Sequence, residues 1–287
     1  MDVLMGLIAA VCWGVTDYLV GVNGRAVGVK RSVLYSQLIG FLIVSLFLVL
    51  SSTSLNLVRE ADLETLVICL AAAVLVLLGA ICLTKALTQG RTAVVAPLIT
   101  SYGIVTTILA WLGGELLIVE QLIGIAVCSF GVFLVGLGCN RTESSLRGLE
   151  KYAICYALLA AILYGGSFWL QGKYALPSVG PVNMLWLTYF VGVMFIFLTF
   201  RDTAGASVLN LRVCGSLSAA SIFNLGGFAA FSFGVLEGSV AVVTVISTLS
   251  GGVAAVLGYV FYNERLVRGQ LLGVLLVLIG AVMLHVL

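Results

Sequence analysis

The sequence predicts an all-α polytopic membrane protein whose ten transmembrane helices form two inverted five-helix repeats. Three observations carry that prediction: a strongly apolar composition, ten hydrophobic runs of spanning length, and a likeness between the two halves of the chain. Of 287 residues, 62% are apolar and only 9% charged, whereas a soluble domain is about a quarter charged. The same figures exclude intrinsic disorder, a disulfide-built secreted scaffold and a nucleic-acid-binding protein. A spanning helix needs about 20 mostly apolar residues, so a chain of this length with short loops holds about ten.

The runs cover 3–22, 32–51, 66–87, 92–112, 117–138, 150–172, 182–200, 213–235, 239–261 and 269–287. The first starts at Met1-Asp2 without a basic leader, and its apolar stretch is too long for a cleaved signal peptide, so it reads as a spanning helix. Each run is continuously apolar, which argues for helices over barrel strands that alternate over about 10 residues. The longest polar connections, Ser51–Thr65, Asn140–Leu149 and Arg201–Arg212, have no room for a soluble domain. Seven scattered cysteines, without a CxxC, and a single terminal histidine, His285, point to apolar filler. Neither a metal site nor a cofactor is expected.

The halves match in order along the chain. Trp13-Gly14 of helix 1 falls on Tyr164-Gly165 of helix 6, Gly40 of helix 2 on Gly192, and Gly79 of helix 3 on Gly227. In helix 4, Gly90–Gly103 laid on Gly238–Gly251 gives six identities in fourteen positions, among them Thr100 with Thr248 and Gly103 with Gly251. Entering helices 5 and 10, Glu115, Leu117, Gln121, Gly124 and Gly131 fall on Glu264, Leu266, Gln270, Gly273 and Gly280. The units are 1–139 and 148–287. Five helices is an odd number, so the second unit enters the membrane from the opposite side, with a site expected near the midplane between them.

Charge then orients the chain. Connections after helices 1, 3, 5, 7 and 9 hold twelve of the fourteen basic residues; Arg59 and Lys173 are the other two. By the positive-inside rule the twelve-residue face is cytoplasmic and both termini are extracytoplasmic. The Asn140-Arg141-Thr142 sequon then lies on the cytoplasmic side, where it is silent.

Asp17 is the one acid well inside a run, and an ionisable residue there points to function. Trp13, four residues earlier, shares its helix face. Lys85 lies near the same depth in helix 3, either paired with Asp17 or snorkelling to the interface. In the repeat register Asp17 falls on Phe168 and Lys85 on Phe233, an aromatic pair mirroring a charged one. Gln37, Thr100, Ser101, Tyr102, Tyr164, Tyr189, Asn224 and Thr248 are further polar or aromatic residues within runs; such groups line a path or bond helices together. Glu115, Glu264 and Glu237 sit at turns and read as caps.

The Trp13-Gly14 pair, the aliphatic stretch before Pro97 and the E-x-L-x-x-x-Q-x-x-G-x-x-x-x-x-x-G ending of both halves resemble the EamA-type branch of the drug/metabolite transporter superfamily. The resemblance spans almost the whole chain. It implies a ten-helix inverted-repeat carrier, often an exporter of amino acids or other small metabolites. Two features depart from it. Many relatives carry basic residues beside the Glu of the helix 4–5 turn, where this chain has GGELLIVEQ, and Pro97 faces Val245 in the second half.

The expected function is a secondary active transporter for a small organic metabolite (an amino acid, an amine or a drug-like solute). It would act in the plasma (inner) membrane as a monomeric exporter surrounded by lipid, with protons coupled through Asp17. The alternative is a passive channel or lipid scramblase. A membrane enzyme is the weakest reading, because neither GxSxG nor HExxH occurs. No Walker motif is present, so ATP is not expected to drive transport.

Overall fold

A computed structural model describes residues 2–50, 61–114, 119–139, 144–199, 210–237, 243, 246–262 and 268–286. Glu115, Glu264 and the sequon Asn140-Arg141-Thr142 lie outside them, as do the side chains of Glu237 and His285. The described chain is helical: α1 Asp2–Val27, α2 Val29–Leu50, α3 Leu63–Gln89, α5 Val119–Cys139, α7 Pro181–Thr199, α8 Leu211–Glu237 and α10 Arg268–Val286. Three spans are irregular. The fourth, α4, is split into Thr92–Ile99 and Tyr102–Leu112. The sixth, α6, runs Ser144–Leu170, then through a π-helical turn Gln171–Ala175 into Leu176–Val179. The ninth, α9, is Ser250–Tyr262, with helical Ile246–Thr248 ahead of a turn at Leu249.

Seven helices are long and apolar enough to cross a bilayer, and three shorter apolar helices accompany them within α5, α9 and α10. Many apolar side chains point outward, including Leu42, Leu46, Phe133, Phe197 and Leu272, as lipid-facing helices require.

Packing follows the repeat. Helix α1 lies against α8 and α9, while α6 lies against α3 and α4; α2 meets α8 as α7 meets α3. The self-matched pairs α2/α7, α4/α9 and α5/α10 close across the axis. Single residues obey the same two-fold. A Cβ at Gly227 would lie 2.5 Å from the Trp13 ring, and one at Gly79 would lie 3.2 Å from the Tyr164 ring. Gly40 faces the Tyr189 ring, and Gly192 faces the Gln37 amide. Each contact is the repeat image of its partner.

The halves are inverted. Arg25, near the end of α1, donates to the Leu87 carbonyl at the end of α3 (2.8 Å) and lies 4.5 Å over the Tyr262 ring at the end of α9. Beside them start α4, α6 and α10, joined by Arg91, Glu150 and Gln270. The second unit therefore enters where α1 exits. At the opposite face, Lys173 donates to the Gly113 carbonyl beyond the end of α4 (3.0 Å), and the close of α8 at Gly234 approaches Met5. Arg25, Lys30, Arg31, Arg91, Lys151, Arg212 and Arg268 gather at the first face, with Lys173 at the second.

Asp62 starts α3 by accepting from the Thr65 N–H (3.3 Å), and that bond holds its carboxyl below the usual carboxylate range. This cap satisfies one of the helix's orphan donors.

Candidate functional site

Two of the irregular spans, α4 and α9, meet across the axis, and their breaks are repeat images. In α4, Pro97 lacks an N–H, and the turn after it tightens to i−3 bonds, Ser101 N–H to Leu98 O and Gly103 N–H to Thr100 O. Side chains add to these bonds: Thr100 Oγ1 donates to Pro97 O, and Ser101 Oγ joins its own N–H in donating to Leu98 O, both at 2.7 Å. In α9, Leu249 N–H bonds Ile246 O and Gly252 N–H bonds Leu249 O, although Val245 replaces the proline. Irregular backbone at membrane depth persists where it lies within protein or lines a cavity.

Such a cavity lies there, about 450 Å³ of empty space partly open to solvent. Helix α1 supplies Trp13, Thr16 and Asp17, α6 supplies Tyr164 and Phe168, and α8 supplies Asn224 and Phe228. Thr100 and Tyr102 come from the α4 break and Ser250 from the α9 break. One turn of separation places Trp13 and Asp17 on the same wall. Thr16 satisfies its hydroxyl on the Cys12 carbonyl, 2.8 Å away. Tyr102 shares a hydrogen bond of 3.0 Å with Ser247, tying the two broken helices.

A second cavity of about 580 Å³ shares Thr16, Leu83, Tyr164, Asn224 and Phe228 with the first and continues toward the basic face along Val20, Ser32, Ser36 and Thr84. Its far wall holds Gln37, Thr188 and Tyr189. Asn224 donates to the Tyr189 hydroxyl at 3.3 Å. The Gln37 amide oxygen is buried without a partner, a state that usually costs about 1–3 kcal/mol.

Toward the other face the path is filled by rings. Trp13 lies 5.6 Å from Phe168, 5.2 Å from Phe228 and 5.6 Å from Phe231. Phe168 lies 5.0 Å from both Tyr102 and Phe231. These are favourable aromatic separations, and they leave a polar vestibule on the basic side and an apolar plug on the other.

Asp17 is 8% exposed and, among the described residues, has neither a hydrogen bond nor an ion pair. The pairing with Lys85 does not form. Lys85 instead donates to the Tyr156 hydroxyl (3.4 Å) and lies 4.8 Å from that ring's centroid, because α6 and not α1 faces its turn of α3. The mirrored aromatic pair is not assembled either: Phe168 is buried at the centre, but Phe233 is 44% exposed on the outside of α8. Ser101 is spent on its own helix, and Thr248 is buried at the matched turn of α9; neither is a wall residue of the two cavities.

The sequence reading omitted Thr16, Leu83, Phe228, Ser250, Ser32, Ser36 and Thr188 from the walls. Of these Thr16 carried a signal, standing next to Asp17. It also omitted the buried cluster at the basic face. There Arg91 grips the Glu150 carboxylate through two nitrogens, one of them Nε at 3.0 Å, and donates to Gln270 Oε1 at 2.8 Å.

A solved structure titled "Crystal structure of protein" superposes with a TM-score of 0.70, covering 98% of this chain and 95% of that one. At 14% identity the likeness is one of fold. No curated protein matches the chain. The model of the EamA-like transporter family matches residues 1–137 and again 151–286, one match to each inverted half. A paired, membrane-spanning architecture around a cavity and two family matches covering nearly all the sequence lead to one conclusion: the chain belongs to the EamA-like transporter family.

Proposed function

We propose that this transporter is a proton-coupled secondary carrier that exports a small organic solute by alternating access, with Asp17 as the coupling group. The observation that carries the reading is the Asp17 carboxyl, buried between the halves with no cation among the described residues to neutralise it. A lone acid at membrane depth is costly and serves ion or proton handling in carriers. The cavity lies where the two breaks face each other, the position expected of a carrier site. The polar vestibule on one side and the ring plug on the other support alternating access over an open pore. Seven described basic residues at one face, against Lys173 at the other, support the plasma membrane orientation with that face cytoplasmic and both termini outside. Each half supplies walls of one shared site, so a monomer is a complete carrier.

The test uses purified protein in liposomes with a lumenal pH dye, challenged with pooled amines, amino acids and cationic drugs. The expected result is a saturable, substrate-dependent proton flux with counterflow, reduced at least about tenfold in Asp17→Asn. Equal proton flux in the variant removes the coupling role; flux that neither saturates nor shows counterflow indicates a channel. A carboxy-terminal green fluorescent fusion that stays dark is the matching result for the orientation, and a bright one reverses it.

A further inference from the structure

We infer that the cavity takes an organic monoamine in its cationic form and discriminates against solutes that also carry a carboxylate. The inference rests on the carrier reading above and narrows its substrate class. Three features of the walls carry it.

The first is charge. Asp17 is the one acid of the two joined cavities, and no Lys, Arg or His lines either of them among the described residues. Three basic side chains of α1, α3 and the start of α4 are committed elsewhere: Lys85 to Tyr156, Arg25 to Leu87 and Tyr262, Arg91 to Glu150 and Gln270. A bound ammonium would complete an ion pair that the protein leaves open. A carboxylate brought in with it would meet no cation, and a desolvated, unpaired carboxylate is heavily penalised.

The second is the wall material. Trp13, Tyr102, Tyr164, Phe168 and Phe228 surround the Asp17 cavity, and aromatic faces attract cations while offering nothing to anions. The third is the far wall. Ser36, Gln37, Thr188 and Tyr189 line the adjoining cavity, so a neutral hydrogen-bonding group at the other end of the solute is accommodated there.

The experiment uses the full chain in detergent micelles and three probes on one skeleton: phenethylamine as cation, phenylalanine as zwitterion and phenylpropionate as anion. Equilibrium dialysis of radiolabelled compounds is expected to show phenethylamine bound at least about tenfold more tightly than phenylalanine, with phenylpropionate unbound. Asp17→Glu retains the ranking and Asp17→Asn abolishes it. Phenylalanine binding as well as phenethylamine overturns the inference in wild-type protein alone, so it does not depend on a variant that folds poorly. Phenylpropionate binding, or no binding of phenethylamine, overturns it equally. Counterflow in liposomes separates the two claims. Phenethylamine that binds but does not exchange removes the carrier reading and leaves the cation site; saturable exchange that favours phenylalanine does the reverse.

Discussion

Gly227 and Gly79 act as seats for rings from the facing half. At Gly227 an added Cβ would stand 2.5 Å from Cδ1 and Nε1 of Trp13, and at Gly79 it would stand 3.2 Å from Tyr164 Cε1. The first requires the indole to move; the second requires a few tenths of an ångström. Gly227→Val is therefore expected to cost about 1–3 kcal/mol through overpacking and to slow transport by shifting a wall of the cavity. Gly79→Ala is expected to cost less than that, about 1 kcal/mol or under. Thermal unfolding in micelles beside initial transport rates reads both; equal losses at the two sites contradict the argument. Sequence comparison shows that both positions need a small residue, since the glycines match across the repeat. Which ring each glycine receives is set by helix rotation about the two-fold axis, and no linear spacing encodes that. Lys85 illustrates the same limit: its depth was legible, but the side of α3 facing α6 rather than α1 was not.

At the scale of elements, nearly every span was legible because about 20 apolar residues allow few alternatives. The irregular spans were not. Helix α6 was expected to end at 172, yet it continues through the π-helical turn, where the Leu176 N–H bonds the Gln171 carbonyl, to Val179. Pro177, at the second position of that last segment, needs no N–H partner there. In α4, Pro97 marks the break, yet α9 turns at the matched place with Val245. Proline is therefore not what holds the break. Side-chain bonds from Thr100 and Ser101 hold the turn within α4, and the close fit of Gly251 against Pro97 and Thr100 holds the halves in register. Pro97→Val, which copies the second half, is expected to change stability by less than about 1.5 kcal/mol and to retain most transport. A loss of several-fold in rate with unchanged unfolding would return the break to the proline.

For the whole molecule the principal helix pairs keep the two-fold, but the chemistry breaks it. Asp17 has Phe168 as its image, and the ring plug sits on one side only. The Arg91–Glu150–Gln270 cluster ties α4, α6 and α10 at the basic face. Glu150 is 4% exposed, so removing its charge leaves Arg91 without its anion. Breaking a buried pair from one side costs about 3–5 kcal/mol; the Arg91 side chain is 27% exposed, so water recovers part of that, and Glu150→Gln is expected to cost about 1–3 kcal/mol. Replacing both charges, Arg91→Met with Glu150→Leu, is expected to cost less than the single change, since neither partner is stranded. Urea or thermal unfolding of the set decides it. Additive losses would mean that Arg91 and Glu150 contribute independently, whereas recovery in the pair makes them one bond between the halves. Such a bond at the face toward which the second cavity extends would have to yield or pivot in each transport cycle. The double variant is accordingly expected to alter the transport rate even where it restores stability.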